Sequence, residues 1–202
     1  AQLKHTSLTS SPSQQVSSIC HFVMQTFDAI ARDKNITLTL KSIIDDSWWV
    51  VGSQNALETI LFNLMSNAIK YTDVGGCISL EVTVNDHWLE FKLTDTGNGI
   101  AEDDHGKIFE RFTRLENNSE VQGIGIGLAL VKELIIDLGG SIRVESQLGQ
   151  GSCFIFTLAR AKASRFTASG LKPKIEQQHL IPGQLRADPQ TDAKESIQNP
   201  ND

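Results

Sequence analysis

Long apolar runs are absent from this chain of 202 residues. None approaches the roughly 20 residues that a helix needs to cross a bilayer. The opening AQLKHTSLTSSPSQQ lacks the basic-then-apolar layout of a signal peptide. An excess of positive charge is absent too: 18 Lys and Arg stand against 24 Asp and Glu, a formal net charge of -6. Nucleic-acid binders usually carry a basic patch or excess, so neither DNA nor RNA is an expected partner. An acidic domain can still hold a polyphosphate, provided that local donors and a metal ion meet its charge. Cysteine is scarce: Cys20, Cys77 and Cys153 are far apart, odd in number and without a CxxC. They read as buried free thiols in a reducing cytosol, not as a disulfide framework or a metal site. The histidines His5, His21, His87, His105 and His179 form no motif. The expectation is a cytoplasmic piece of a longer parent, which can itself be anchored in a membrane.

What is present suits one soluble core with extensions: 40% hydrophobic and 21% charged residues. Residues 1–12 are rich in Ser and Thr and read as a linker. From about 13 to 33, Val16, Ile19, Phe22, Val23, Phe27 and Ile30 recur at helical spacing. ITLTLK and SWWVVG then read as two strands, and Ser53 can cap a helix from about 53 to 71. CISLEVTVN and HWLEFKLTD form two more strands, with a short link that suggests a hairpin. A polar stretch, 101–122, carries an apolar island at Ile108, Phe109 and Phe112. LALVKELIIDL is helical and stops at Gly139-Gly140; SIRVESQ and SCFIFTLA are the last strands. From 161 to 202 prolines and polar residues dominate, which suits a linker or tail. This order predicts an α+β sandwich of two layers, with helices on one face of a mixed, mostly antiparallel sheet.

Three features carry chemistry. On the helix 53–71, Leu57, Ile60, Leu61, Leu64, Met65 and Ala68 form one face, and Asn63, Asn67 and Lys70 form a polar stripe beside it. Alone, that stripe reads as a solvated edge. Next, Gly125 and Gly127 lead straight into a helix, whose unpaired N–H groups and positive dipole end make an anion site. No GK[ST] follows, so it is not a Walker loop, and no strand runs into it as in a Rossmann fingerprint. Lys70 and Tyr71 could offer a cation and a phenol to a phosphate or ribose. Third, Asp95 ends a strand where the chain turns on Gly97 and Gly99. A buried carboxylate there can accept from an exocyclic amine of a nucleobase; alone, a turn-capping Asp is the plainer reading.

Together these segments resemble the catalytic ATP-binding domain of sensor histidine kinases, within the superfamily that also holds gyrase, chaperone and mismatch-repair ATPases. LFNLMSNAIKYT resembles the N box, DTGNGI the first glycine box, IFERF the F box and GIGIGLALVKEL the second glycine box. Four motifs in family order cover about residues 13–160. The resemblance implies a Bergerat-type fold with an ATP lid at 101–122. It implies ATP and Mg²⁺ as ligands, with Asp95 on adenine and Gly97, Gly99, Ile100, Gly123, Gly125, Gly127 and Leu128 around the nucleotide. It also implies Asn67 on Mg²⁺, Arg114 near the γ-phosphate and the Ser152 hydroxyl in support of Asp95. Asn63, Asn67, Lys70 and Arg114 become the expected catalytic set.

The implied function is transfer of the γ-phosphate to a histidine on a separate helical dimerisation domain in bacterial-type two-component signalling. The partners would be those helices of the parent kinase and the receiver domain of a response regulator, with the isolated domain a monomer. The family's acceptor motif is not found: His5 is followed by TSLTS. Ser53 and Ile124 stand where Asp and Thr are frequent. In gyrase-type relatives a glutamate at the position matching Asn63 activates water. Two alternatives therefore remain open: an ATPase of that kind, and a degenerate nucleotide-binding sensor module without catalysis.

Overall fold

The computed structural model describes residues 13–42, 48–51, 55–85, 87–113 and 125–161. All lie in the first of two compact units, 1–168. The expected linker, the tail beyond 161, Ser53 and residues 114–124 fall outside the described residues.

The first segment departs from expectation. Ser13–Gln15 is a short strand, β1, and helix α1 begins only at Val16 and runs to Asp33. The helical periodicity starts at Val16, and the three residues before it find main-chain partners at Trp49–Val51, strand β3. α1 ends in a Schellman motif with Asn35 at φ 54. The Ile36 N–H donates to the Ala31 carbonyl at 2.8 Å and the Asn35 N–H to the Arg32 carbonyl at 2.9 Å. Strand β2, Thr37–Ser42, follows at once.

Helix α2, Ala56–Tyr71, buries Leu57, Ile60, Leu61, Leu64, Met65 and Ala68, the face read from periodicity. Its C-terminal carbonyls are closed from a distance. Lys34 Nζ donates to the carbonyls of Ile69 at 2.8 Å and Thr72 at 3.3 Å. A cation there also meets the negative end of the helix dipole. Strands β4, Cys77–Val84, and β5, Trp88–Asp95, form the expected hairpin. Helix α3, Gly127–Asp137, leads through Gly139 into β6, Ser141–Gln147, and then β7, Gly151–Ala161.

Among the described residues the seven strands make one sheet in the order β1-β3-β7-β5-β4-β2, with β6 also on β7. Every pairing is antiparallel except β2 with β4. Register stacks the apolar phase of each strand into rows. Leu80, Leu93, Phe154 and Val144 form one row; Val82, Phe91, Phe156 and Ile142 form the next. The Phe91 and Phe156 rings stack at 4.5 Å with 1° between planes. The three helices pack on this face through Val16, Cys20, Val23 and Phe27, through the α2 face, and through Val131 and Ile135. The far face carries the polar phase, including the Glu90–Lys92 pair at 3.2 Å. The two-layer α+β arrangement is as expected.

The thiols differ from their expectation. Only Cys20 is buried, and burial pushes its thiol up to about 12. Cys77 is exposed and Cys153 half-buried.

Candidate functional site

A cleft of about 350 Å³ opens between the end of β5, the last turns of α2 and the start of α3. That size is at the small end of the range for small-molecule sites. The alternation of β5 places Leu89, Phe91 and Leu93 on the helix-facing side, and the next residue in that phase is Asp95. The carboxylate is thus carried to the core end of the sheet, only 6% exposed. Its Oδ1 accepts from the Gly97 N–H at 2.9 Å and the Ser152 N–H at 3.3 Å. Burial raises its pKa, and those two backbone donors pull the other way. The support from Ser152 comes from its backbone N–H; its hydroxyl instead accepts from Ser146 at 3.0 Å.

The turn after Asp95 is pressed against protein backbone. A Cβ on Gly97 would collide with the Tyr71 carbonyl oxygen, and one on Gly99, at φ +68, with that of Gln147. Glycine is required at both by the neighbouring main chain. The turn is held by the Asn98 N–H to the Tyr71 carbonyl at 3.2 Å and the Gly149 N–H to the Asn98 carbonyl at 2.7 Å. Gly97 does not line the cleft; Gly99 and Ile100 do.

Opposite stands the polar stripe of α2. Asn67, Lys70 and Tyr71 line the cleft, with Lys70 Nζ 5.1 Å from the Tyr71 ring centre. Asn63 does not line it. Its Nδ2 donates to the Thr59 carbonyl at 2.8 Å, and its Oδ1 lies 2.8 Å from where a Cβ on Gly127 would stand. Gly127 therefore lets α3 start close against α2. Gly125, Ile126, Gly127 and Leu128 bring the α3 N-terminus to the cleft wall. Arg114 and Gly123, both expected at the site, lie outside the described residues.

The described part of the expected lid, 101–113, contains two single 3₁₀ turns, Glu102–Asp104 and Lys107–Phe109. Ile108 is buried, and Phe109 meets Phe154 edge-on at 6.4 Å. Phe112 is 70% exposed with φ +66. Arg111 forms a bidentate pair with Glu133 of α3, Nε to Oε1 at 3.0 Å and Nη2 to Oε2 at 2.9 Å.

Cleft residues not anticipated include Asn98, Ile108, Thr113, Ile126 and Phe154. Asn98 sits inside DTGNGI and was legible there. Phe154 was not, because only the β5–β7 register brings it beside Leu93.

Among the described residues no group of three or more His, Cys, Asp or Glu could hold a metal by itself. The amide oxygen of Asn67 on the cleft wall is the hard donor that Mg²⁺ accepts as a single protein ligand, with phosphate oxygens and water completing its shell. The residues present fit such an ion.

The family of histidine kinase-, DNA gyrase B- and HSP90-like ATPases matches residues 52–162, more than half of the chain. The chain is 35% identical over 141 residues to the adaptive-response sensory kinase SasA of Rippkaea orientalis, covering 69% of this chain and 36% of that protein. It is 34% identical over 164 residues to the autoinducer 2 sensor kinase/phosphatase LuxQ of Vibrio parahaemolyticus, covering 77% and 18%. The chain thus spans about a third or less of these relatives' length. Among solved structures, the nucleotide-free catalytic domain of histidine kinase ThkA superposes with a TM-score of 0.65 at 25% identity, covering 73% of this chain and 96% of that one. Full-length ShkA in complex with AMPPNP gives 0.64 at 28% identity, covering 76% and 32%.

Proposed function

This chain belongs to the family of histidine kinase-, DNA gyrase B- and HSP90-like ATPases, and we propose that it binds Mg-ATP and donates the γ-phosphate to a histidine on a separate helical domain. The observation that carries this reading is one cleft with an anionic acceptor at one wall and a helix N-terminus at another. Asp95 accepts from the adenine amine. The first-turn N–H groups of α3 and the Lys70 ammonium meet the phosphates. Asn67 would hold Mg²⁺, which neutralises charge on the phosphate oxygens when bound. The chain's own part is positioning and charge stabilisation. The acceptor's neutral imidazole nitrogen attacks the γ-phosphorus, the bond to the bridging oxygen breaks, and ADP leaves. The catalytic domain is taken as 13–160 with its lid at 101–122. The parent kinase's dimerisation helices supply the histidine, and a response-regulator receiver domain receives the phosphoryl group.

One observation favours transfer over hydrolysis. Among the described residues lining the cleft, Asp95 is the only carboxylate, and it is committed to the sheet end. Asn63 is an amide that cannot take a proton as a general base. Among the described residues, water attack therefore lacks a base. The test is phosphate release by the purified chain alongside transfer to a supplied dimerisation domain. Hydrolysis well below the typical enzyme turnover of about 10 per second, with transfer present, is expected. Brisk hydrolysis without transfer would assign the chain to the ATPase branch, and ATP binding with neither activity to a sensor module.

A further inference from the structure

One row of the sheet breaks the apolar pattern. Beside the row Leu80, Leu93, Phe154 and Val144 runs the row Ile78, Asp95, Ser152 and Ser146. Ser146 is half-buried and does not itself line the cleft. Its hydroxyl bonds to three groups. Oγ accepts from the Ile100 N–H at 2.8 Å. Its single proton is offered to the Gly151 carbonyl at 2.8 Å and to the Ser152 Oγ at 3.0 Å. We propose that Ser146 is the positioning residue for the base end of the cleft, one hydroxyl setting both the glycine turn at Ile100 and the start of β7 that supports Asp95.

The proposal deepens the nucleotide reading above and rests on it. Ile100 and Ser152 both line the cleft, from chain segments about fifty residues apart. Ser146 bonds to both segments from a third one, β6, and so joins the turn and the strand start that the Asp95 carboxylate also touches through Gly97 and Ser152. A Cβ on Gly151, at φ +87, would collide with the Asp95 carbonyl, so the start of β7 runs close against the backbone of Asp95. The Ser152 N–H that reaches Asp95 follows directly in sequence. The β6–β7 ladder is made of main-chain bonds, so removing the hydroxyl leaves the sheet in place. What it removes is the alignment of turn, strand start and carboxylate.

The test uses the whole chain, comparing wild type, Ser146→Ala and Ser146→Thr by calorimetry with Mg-ATP from neutral to acid pH. Loss of a hydrogen bond at a half-buried site should weaken ATP binding by roughly five- to tenfold in Ser146→Ala, and Ser146→Thr, which keeps the hydroxyl, should restore it. The Ser152 N–H favours ionised Asp95. Loosening it should therefore move the acid loss of ATP affinity to higher pH in Ser146→Ala. An alanine variant within twofold of wild type would overturn the role of Ser146. So would a uniform loss at every pH with an unmoved midpoint, or a threonine variant no better than alanine. A folded wild type that binds no ATP would instead overturn the nucleotide reading and this proposal with it.

Discussion

The cleft has two unlike walls. The strand wall ends in groups that are buried and held by main-chain partners: Asp95 by Gly97 and Ser152, the glycine turn by Tyr71 and Gly149. On the lid side, beyond Ile108 and Phe109, the contacts are exposed. There the Phe112 N–H donates to the Gly125 carbonyl at 2.9 Å, and Arg111–Glu133 is a solvent-facing pair. A buried carboxylate costs free energy unless its oxygens are bonded, so the strand wall must be organised before any ligand arrives. Exposed contacts are individually weak, so the lid wall can rearrange at small cost. Such a division suits the proposed reading, in which the site would select its base on fixed geometry and adjust around the phosphates, where a second molecule would also reach.

The largest expected effect lies in the strand wall. Phe156→Ala removes half of a stacked, fully buried pair and should cost about 3–5 kcal/mol in urea unfolding, enough to threaten the fold. A cost below about 1 kcal/mol would mean that the stack does not hold this wall. Asp95→Asn comes next and separates stability from binding. The amide oxygen can still accept from Gly97 and Ser152, but the charged acceptor is lost, which should weaken ATP binding tenfold or more at about 1–3 kcal/mol for a mispaired buried group. Stability should move the other way. Burial raises the Asp95 pKa in the fold, so the folded state binds more protons than the unfolded one between the two values. The charge therefore costs stability above the folded pKa, and that cost fades as pH falls through it. The variant should melt at or above the wild-type temperature at pH 7, with the gap closing in acid. A lower melting point at pH 7 would mean that the charge is stabilising where it stands.

The two walls also differ in how far their sequence reveals them. Asp95 is legible because it occupies an apolar phase of β5 in front of two glycines, and the amphipathic face of α2 is legible from spacing alone. The lid's apolar island was visible at Ile108, Phe109 and Phe112, yet only contact separates the pinned Phe109 from the exposed Phe112. Three other features have no local signature. Ser146 looks like any strand serine until register sets it beside Ser152. Lys34 looks like a surface lysine until the fold brings it to the end of α2. Strand β1 is three residues long and exists through β3, more than thirty residues away. Pairings between distant segments decide these features, and periodicity carries no information about them.

A paired substitution sharpens the lid side. Phe109→Ala gives up the edge-on contact with Phe154 and should cost about 1–2 kcal/mol. Phe112→Ala removes a ring that is 70% exposed and should change stability by less than about 0.5 kcal/mol. Transfer to a supplied helical domain should nonetheless suffer from Phe112→Ala, since an exposed ring beside the cleft is available to that partner. Equal costs in unfolding would erase the distinction between the two rings.

The smallest effect belongs to Arg111 and Glu133. The geometry is favourable, a bidentate fork at 3.0 and 2.9 Å, but the side chains are 63% and 50% exposed. Water screens such a pair, and ordering two long side chains opposes the gain, so its coupling should be about 0.3–1 kcal/mol. A double-mutant cycle of Arg111→Ala and Glu133→Ala in unfolding isolates that coupling from what each alanine does separately. Raising the salt to about 1 M shortens the screening length to roughly 3 Å and should remove most of it. The pair joins the first part of the proposed lid to α3, whose N-terminus lines the cleft on the side proposed for the phosphates. A small, salt-sensitive coupling would leave that side free to open and close around a ligand. A coupling above about 2 kcal/mol that survives salt would place the lid wall on the same footing as the strand wall, and the contrast between a fixed base end and an adjustable phosphate end would fail.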